Sequence, residues 1–227
     1  MQTGVKSWNH WREANPDVQP SLRGVNLKLA NFSGANFKDV DFTGTNFKGA
    51  YLKNVNFERA NLQDVDLRGA NLKGSILTQA NLKGSYLSQA NFEQAVLSDV
   101  DFQDINWVGA ILRGVNLREA NFVKLNLMGT DFTGADLTAA NFTGANLTAA
   151  NFTGANLTAT NFTGANLRRT LFEDAKLAER VQNQELAATE KFRQNPVTQR
   201  ARVEKSSPQG LIFTEIRKSS ISRSVKL

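Results

Sequence analysis

A large apolar residue occupies every fifth position of one uninterrupted stretch, from Leu22 to Leu177. The 32 positions of this register hold 18 Leu, 13 Phe and Trp107. Two residues before each large residue lies a small or β-branched one, with Leu125 as the largest exception. The residue directly before it is Asn or Asp in 24 of the 32 units, and the two residues after it are mostly polar, charged or Gly. The stretch therefore repeats one unit, Ala-Asn-(Leu/Phe)-X-X.

A period of five residues fits neither an α-helix nor a straight strand. Five helical steps advance about 140° beyond a full turn and would scatter the large residues around the helix axis. In a strand, an odd period sends successive large residues to opposite faces. Each unit must therefore contain a corner that returns the large residue to the interior. Asn, Asp and Gly suit such corners, because they tolerate left-handed geometry or hydrogen-bond to their own backbone.

The number of sides follows from an alternation of Phe and Leu between residues 130 and 167. Four sides make each column through successive coils all Phe or all Leu, so that every coil has the same internal volume, as close packing favours. We therefore predict about eight coils of 20 residues, in a rod roughly 38 Å long at about 4.8 Å per coil. The predicted core contains Phe132, Leu137, Phe142, Leu147, Phe152, Leu157, Phe162, Leu167 and Trp107.

Arrays of Ala-Asn-Leu-X-X resemble the pentapeptide repeat family. The resemblance extends from Pro20 to about Glu179 and implies an all-β solenoid, a right-handed quadrilateral β-helix. We expect an N-terminal helical cap over residues 1–19, the β-helix over 20–179, a C-terminal helix over 180–195 and a basic, flexible tail over 196–227.

The ends of a β-helix expose apolar core and unpaired backbone groups. Val5, Trp8 and Trp11 lie at helical spacing before Asn15-Pro16, so we predict a helix in which the two Trp residues cap the first coil. Ligand stacking by the two Trp residues is the alternative. Apolar residues between 181 and 192 at spacings of three and four predict a helix that closes the last coil or pairs with its copy in a homodimer.

Composition limits the chemistry that the chain can perform. The chain has no Cys and only one His, His10, and its repeats place carboxylates on a convex surface, so we expect no catalytic site, metal site or cofactor. Asp99, Asp101 and Asp104 raise the question of a cation site, but they lack the pattern of calcium-binding β-rolls, and an ordinary surface is the favoured interpretation. The N-terminus has no signal-peptide pattern and no apolar run is long enough to span a membrane, which predicts a cytoplasmic protein.

The net charge of +6 is concentrated at the C-terminal end. Residues 22–179 contain 15 Lys or Arg and 15 Asp or Glu, whereas residues 180–227 contain ten Lys or Arg and four Glu. Weak attraction of the tail to an anionic partner is therefore one hypothesis. The tail has no base-reading or membrane-helix pattern, so we do not expect nucleic-acid binding. A membrane surface is a candidate partner of the tail only. The candidate contacts are Arg200, Arg202, Lys205, Arg217 and Lys218.

Some units carry an apolar residue where Asn or Asp is usual. These residues are Tyr51, Ile76, Tyr86, Val96, Ile111 and Leu171. With 20 residues per coil, Ile76 and Val96 stack directly, and Tyr51 and Ile111 fall on the adjoining side. The four are predicted to form a stripe, which marks a partner site if it is contiguous; the alternative is scattered surface apolar residues, which are common.

The leading functional hypothesis is a non-catalytic rod that binds an unidentified protein partner. The resemblance suggests a second hypothesis, a DNA-shaped protein that binds a type II topoisomerase, but that role needs an acidic face and the rod is neutral. The third is the anionic partner of the tail. Thr residues at the outward positions of residues 133–163 are similar to those of ice-binding solenoids, although they occur on all four sides, as repeat duplication would produce.

Overall fold

The computed structural model describes residues 2–177 and 202–203. Its regular elements are helix α1, Gln2–Ala14, and two short parallel strands, β1, Lys176–Leu177, and β2, Arg202–Val203. From Ser21 to β1 the chain repeats one bridge residue and a two-residue turn in each five-residue unit, except that Asp101 forms no bridge. The predicted helix over 180–195 lies outside the described residues, as does the predicted tail apart from Arg202 and Val203, which pair with the last coil.

The repeats form coils of twenty residues. Each isolated bridge is parallel and joins residues twenty positions apart, for example Asn36 to Asn56 and Asn56 to Ile76. Four units therefore complete one coil, which confirms the four-sided arrangement predicted from the Phe/Leu alternation. In chain order we name the sides by one member: the Asp41 side, the Tyr86 side, the Tyr51 side and the Ile76 side. The count of about eight coils remains a prediction.

The large residues fill the axis of the coils. Phe142 and Phe152 are fully buried, and their rings meet edge to face with centroids 5.7 Å apart. Phe122 stacks on Phe142 at 4.8 Å, which matches the spacing of hydrogen-bonded strands. The all-Phe columns expected for four sides are thus present. The residue two positions earlier is Ala, Val, Ser or Thr in most units, because the corner of the coil leaves room only for a small side chain.

Corners are made by the two residues that follow each large residue. The second of them has a positive φ, 76° at Gly34 and 54° at Arg59. The Asn or Asp of the unit was expected at the corner, but it lies on the flat side as the bridge residue. From there its side-chain oxygen accepts a hydrogen bond from the N–H two residues later, as Asn56 does from Glu58 at 2.9 Å. This local bond braces the corner and explains why Asn and Asp dominate the position.

The ladder is interrupted around one coil. Among the described residues, four bridges expected from the twenty-residue register are missing: Asn81 to Asp101, Val96 to Asn116, Asp101 to Asn121 and Asn106 to Asn126. Residues 99–105, which we call the unpaired segment, make no backbone-to-backbone hydrogen bond with any described residue. In an intact coil, Phe42 N–H donates to Asn61 O at 2.8 Å; at the corresponding place, Asn121 O instead accepts a bond of 3.0 Å from the side chain of Gln103. Open clefts of about 460 Å³ and 410 Å³ lie between the coil that contains this segment and the next coil.

Excess side-chain volume accounts for the lost pairing. The small inner position is occupied by Ser85, Ile105, Leu125 and Ala145 in successive coils, so the two largest occupants are stacked beside Trp107. Leu125 is only half-buried, and the indole nitrogen of Trp107 and the hydroxyl of Ser85 are buried without a hydrogen-bond partner. Overfilled cores respond by backbone shifts. Here the shift separates neighbouring coils.

The buried position of Phe142 generates the first prediction. Replacing Phe142 by Ala leaves a cavity in a continuous Phe column and is expected to lower the free energy of unfolding by about 3 to 5 kcal/mol. Thr143→Ala, at the adjacent outward position, is the control and should lower it by only about 1 kcal/mol, because it removes one hydroxyl bond to Asn141 and no core volume. Denaturant titration measures both. Equal stability of the two variants would contradict the assignment of the interior.

The unpaired segment generates the second prediction. Its amides should exchange with deuterium roughly tenfold or more faster than those of residues 139–145, the same side two coils later, where the backbone bonds are intact. Leu125→Ala should slow exchange at the unpaired segment, because it removes part of the excess volume. Mass spectrometry of peptic fragments makes the comparison. Equal protection of the two segments would show that the ladder is continuous.

Candidate interaction surface

The predicted stripe is present as an arc around a stacked pair. Ile76 bridges directly to Val96, and their exposed fractions are 41% and 44%. Tyr51 is 53% exposed and Ile111 is half-buried. These two lie on the adjoining side, one coil before Ile76 and one coil after Val96. The structure therefore joins Ile76 and Val96 closely and places Tyr51 and Ile111 at the two ends of the arc.

Further exposed apolar residues lie outside this arc, although one of them, Leu29, packs over Gly49, two residues before Tyr51. Tyr86 and Leu171 are exposed at the bridge position, as the sequence pattern indicated. Leu29 and Met128 are exposed at corners and were missed, although apolar residues at the outward positions were the available signal. None of these four is a bridge partner of Ile76 or Val96. The stacked pair is thus the one place in the described coils where two bridge partners are both apolar and exposed.

A row of charged corner residues follows the arc. Lys53 lies two residues after Tyr51, Lys73 three residues before Ile76, and Glu93 three residues before Val96. Lys73 Nζ and Glu93 Oε1 are 2.8 Å apart. Because the corners stack with the same twenty-residue register, these charges line the boundary between the Tyr51 side and the Ile76 side.

Ionisable groups elsewhere are engaged in structure. Asp41 Oδ1 accepts bonds from the hydroxyl and the N–H of Thr43, and Arg23 donates to its other oxygen, so that the pKa of Asp41 falls to about 2. His10 is exposed and lies 3.9 Å from Glu13. Asp99, Asp101 and Asp104 do not form a metal-binding group: no cluster of three His, Cys, Asp or Glu suited to a metal occurs among the described residues.

Comparison with known proteins identifies the repeats. A family model for pentapeptide repeats matches residues 20–59, 41–79, 60–99 and 75–106, and a model for a pentapeptide repeat region matches residues 107–180. The chain belongs to the pentapeptide repeat family. Coils of four units agree with the quadrilateral β-helix of that family. No curated protein matched the sequence.

Solved structures of the family are similar to this chain. HetL, a pentapeptide repeat protein involved in heterocyst differentiation regulation from the cyanobacterium Nostoc sp. strain PCC 7120, is 22% identical, with 73% of this chain and 93% of HetL covered and a TM-score of 0.43. A pentapeptide repeat protein from the Arabidopsis thaliana thylakoid lumen is 32% identical over 44% of this chain and 69% of its own, with a TM-score of 0.43. QnrB1, a plasmid-mediated fluoroquinolone resistance protein, is 20% identical, with 76% of this chain and 94% of QnrB1 covered and a TM-score of 0.38. The family assignment rests on the repeat models.

Most candidate contacts of the C-terminal segment, the basic tail over residues 196–227, are outside the described residues. Arg202 belongs to β2 and pairs with Lys176. Arg200, Lys205, Arg217 and Lys218 are not described. No helix among the described residues is long and apolar enough to cross a membrane.

Helix α1 lies against the first coils of the pentapeptide repeat solenoid. The Trp8 ring packs edge to face on Phe37 at 5.5 Å, and its Nε1–H donates to Asn36 O at 2.7 Å. Asn9 Oδ1 accepts from Asn36 N–H at 2.8 Å, and Arg12 donates to Lys38 O at 2.9 Å.

These side chains replace the backbone partners that a preceding coil would supply. In the next coil, Asn56 N–H donates to Ala35 O, the role that Asn9 Oδ1 takes for Asn36. Asn56 O accepts from Phe37 N–H, the role that Trp8 takes for Asn36 O. Asn9 and Arg12 were missed from the sequence, where only the aromatic residues suggested a cap. Trp11 is exposed, and its ring contacts the Trp8 ring with centroids 5.5 Å apart.

The geometry of α1 generates the third prediction, in which the helix caps the first coil. Deleting residues 1–16, or replacing Trp8 and Trp11 by Ser, uncovers Phe37 and the backbone groups of residues 36–38 and should promote end-to-end association. Trp8→Ser alone should have most of this effect, and Trp11→Ser alone little. Light scattering over a concentration series measures the size. A particle size that stays at the parent value in the deletion variant would refute the capping role.

Proposed function

We propose that this pentapeptide repeat protein is a non-catalytic rod that binds another protein through the arc Tyr51, Ile76, Val96 and Ile111. The observation that carries the proposal is the stacked, exposed pair Ile76 and Val96. The family consensus places Asn at both positions, so neither apolar side chain is required by the coil. An apolar pair bordered by charged residues is the arrangement of a small protein-binding site.

A non-catalytic role is supported by the chemistry of the described residues. Their interior is filled by apolar side chains. The carboxyl groups with shifted pKa values, Asp41, Asp66, Asp131 and Asp136, have all been shifted downward, away from the neutral range in which a general acid or base works. Hydroxyl groups or Arg side chains hold these carboxylates in place, so they brace corners and coils.

The role of the C-terminal segment is a separate part of the proposal. Its excess of positive charge favours attraction to an anionic surface, which would act on the association rate, while the arc would act on the lifetime of the complex. We place this activity in the cytoplasm, with a homodimer through residues 180–195 as a further element of the hypothesis. A DNA-like acidic face is not proposed, because the acids of the Asp41 side are interspersed with cations that pair with them, as Arg59 does with Asp39.

The fourth prediction tests the arc. Ile76→Asn with Val96→Asn restores the repeat consensus and should leave the thermal unfolding temperature unchanged, while a partner captured by the parent protein dissociates at least about tenfold faster. Leu171→Asn is the matched control, because it makes the same replacement at the same repeat position three coils beyond Ile111. Binding kinetics are measured for the partner recovered by affinity purification with the parent chain.

The comparison also separates the arc from the C-terminal segment. A chain truncated after Arg180 should lose association rate and salt dependence but keep the effect of the Asn replacements. Parent-like kinetics for the Ile76→Asn, Val96→Asn variant would remove the arc as a binding site and leave only the C-terminal segment.

A further inference from the structure

Positive and negative residues are interspersed along the sequence, but the twenty-residue register places an excess of positive charge on one side of the rod. The two corner columns that border the Tyr51 side carry six cations and one acid over the first five coils. The cations are Lys28, Lys48, Lys53, Arg68, Lys73 and Arg113, and the acid is Glu93. The solenoid as a whole has equal numbers of both signs, so this excess appears only when the residues are assigned to sides.

The opposite side of the rod, the Asp41 side, is acidic. Over the same coils, it and its two corner columns carry eight acids and five cations. The acids are Asp39, Asp41, Glu58, Asp64, Asp99, Asp101, Asp104 and Glu119, and the cations are Arg23, Lys38, Arg59, Lys83 and Arg118. Many of these charges neutralise each other across neighbouring coils, as Arg59 does with Asp39 at 2.8 Å and Lys38 with Glu58 at 3.0 Å.

The cations of the Tyr51 side are less neutralised. Lys28, Lys48 and Lys53 form no ion pair with another described residue. Lys28 and Lys48 are one coil apart in the same corner column, about 4.8 Å along the rod. Lys48 and Lys53 stand on either side of Tyr51, whose ring is exposed between them. The pKa of Asp66 is lowered mainly by the hydrogen bond from Arg68 and only to a smaller extent by the charge of Lys48. Positive charge without a close ion-pair partner is thus concentrated beside one end of the apolar arc.

The mixture of apolar and basic groups indicates the chemistry of the partner. Nucleic-acid interfaces are highly polar and favour Arg, whose planar guanidinium binds phosphate in a bidentate manner. Here four of the six cations are Lys, and the two Arg side chains are already held by carboxylates, Arg68 by Asp66 at 2.6 Å and Arg113 by Asp131 at 2.6 Å. An exposed apolar pair has no role against phosphates, whereas a protein interface combines an apolar centre with a charged rim.

We infer that this surface binds an acidic, amphipathic segment of a partner protein. Its carboxylates lie against Lys28, Lys48 and Lys53, and its apolar side chains cover Tyr51 and the Ile76–Val96 pair. The inference deepens the proposed function and rests on it, because both use the same apolar pair. It adds the chemical class of the partner and the residues that select it.

A random 16-residue peptide library displayed on phage, selected against the full-length protein, tests the inference. We expect the enriched peptides to be net acidic and to contain several apolar residues. Fluorescence polarisation of one enriched peptide should show an affinity about threefold to tenfold weaker for Lys48→Gln with Lys53→Gln than for the parent, and a reduced dependence on salt.

Lys83→Gln with Lys124→Gln is the matched control. It removes the same charge from two exposed lysines on the opposite side of the rod and should leave the affinity unchanged. The basic C-terminal segment is present in every variant, so its contribution cancels in the comparison. Equal losses in both double variants would overturn the inference, because they would show attraction to net charge instead of to this surface.

Three further outcomes have defined meanings. Single- or double-stranded DNA of 20 nucleotides that binds through Lys48 and Lys53, while the library yields no acidic peptides, would replace the protein partner by a nucleic acid and overturn the inference. A library without acidic enrichment, together with faster dissociation of the captured partner from the Ile76→Asn, Val96→Asn variant, would overturn the inference and leave the proposed function standing. Acidic peptides whose affinity falls in the Lys48→Gln, Lys53→Gln variant but not in the Ile76→Asn, Val96→Asn variant would support the basic site and overturn the apolar contact with Ile76 and Val96.

Discussion

The parallel hydrogen-bond ladder between successive coils is the constraint on which the structure depends. It joins each bridge residue to the one twenty positions later, as Asn56 is joined to Ile76. The same spacing lets Phe122 stack on Phe142 at 4.8 Å, so the ladder and the core agree only when each layer holds the same volume. Where Ile105 and Leu125 are stacked beside Trp107, the volume is too large and the backbone bonds of residues 99–105 are lost.

At the first coil, the backbone N–H and C=O groups have no preceding coil to pair with and need other hydrogen-bond partners. Helix α1 provides these partners through its side chains: Trp8 and Arg12 donate hydrogen bonds, and Asn9 accepts one. The helix needs no strand geometry to do this, because residues four positions apart project from the same face. A helix can thus pair with a strand edge when its side chains take the place of backbone groups.

The regular stacking of the coils also fixes the positions of the outward-facing residues. Each corner holds its second residue in a left-handed conformation, and an Asn or Asp oxygen braces most corners, so charged and apolar groups stack in columns along the rod. Such columns differ from the surface of a globular domain, where loops of different lengths separate neighbouring groups. A functional surface on this rod is therefore made by the few units whose side chains depart from the repeat, such as Ile76, Val96 and Lys53.

The repeated unit alone determined which residues face inward, because that choice is made within five residues and is repeated without a slip from Leu22 to Leu177. The alternation of Phe and Leu was enough to predict the twenty-residue coil, and with it the stacking of Ile76 on Val96. The unpaired segment was not predictable, since it results from side chains twenty residues apart whose volumes add in one layer. The hydrogen bonds of Asn9 and Arg12 depend on where α1 docks, and the segregation of charge depends on which side of the coil each corner occupies. These are properties of contacts between distant residues, so only the tertiary structure could decide them.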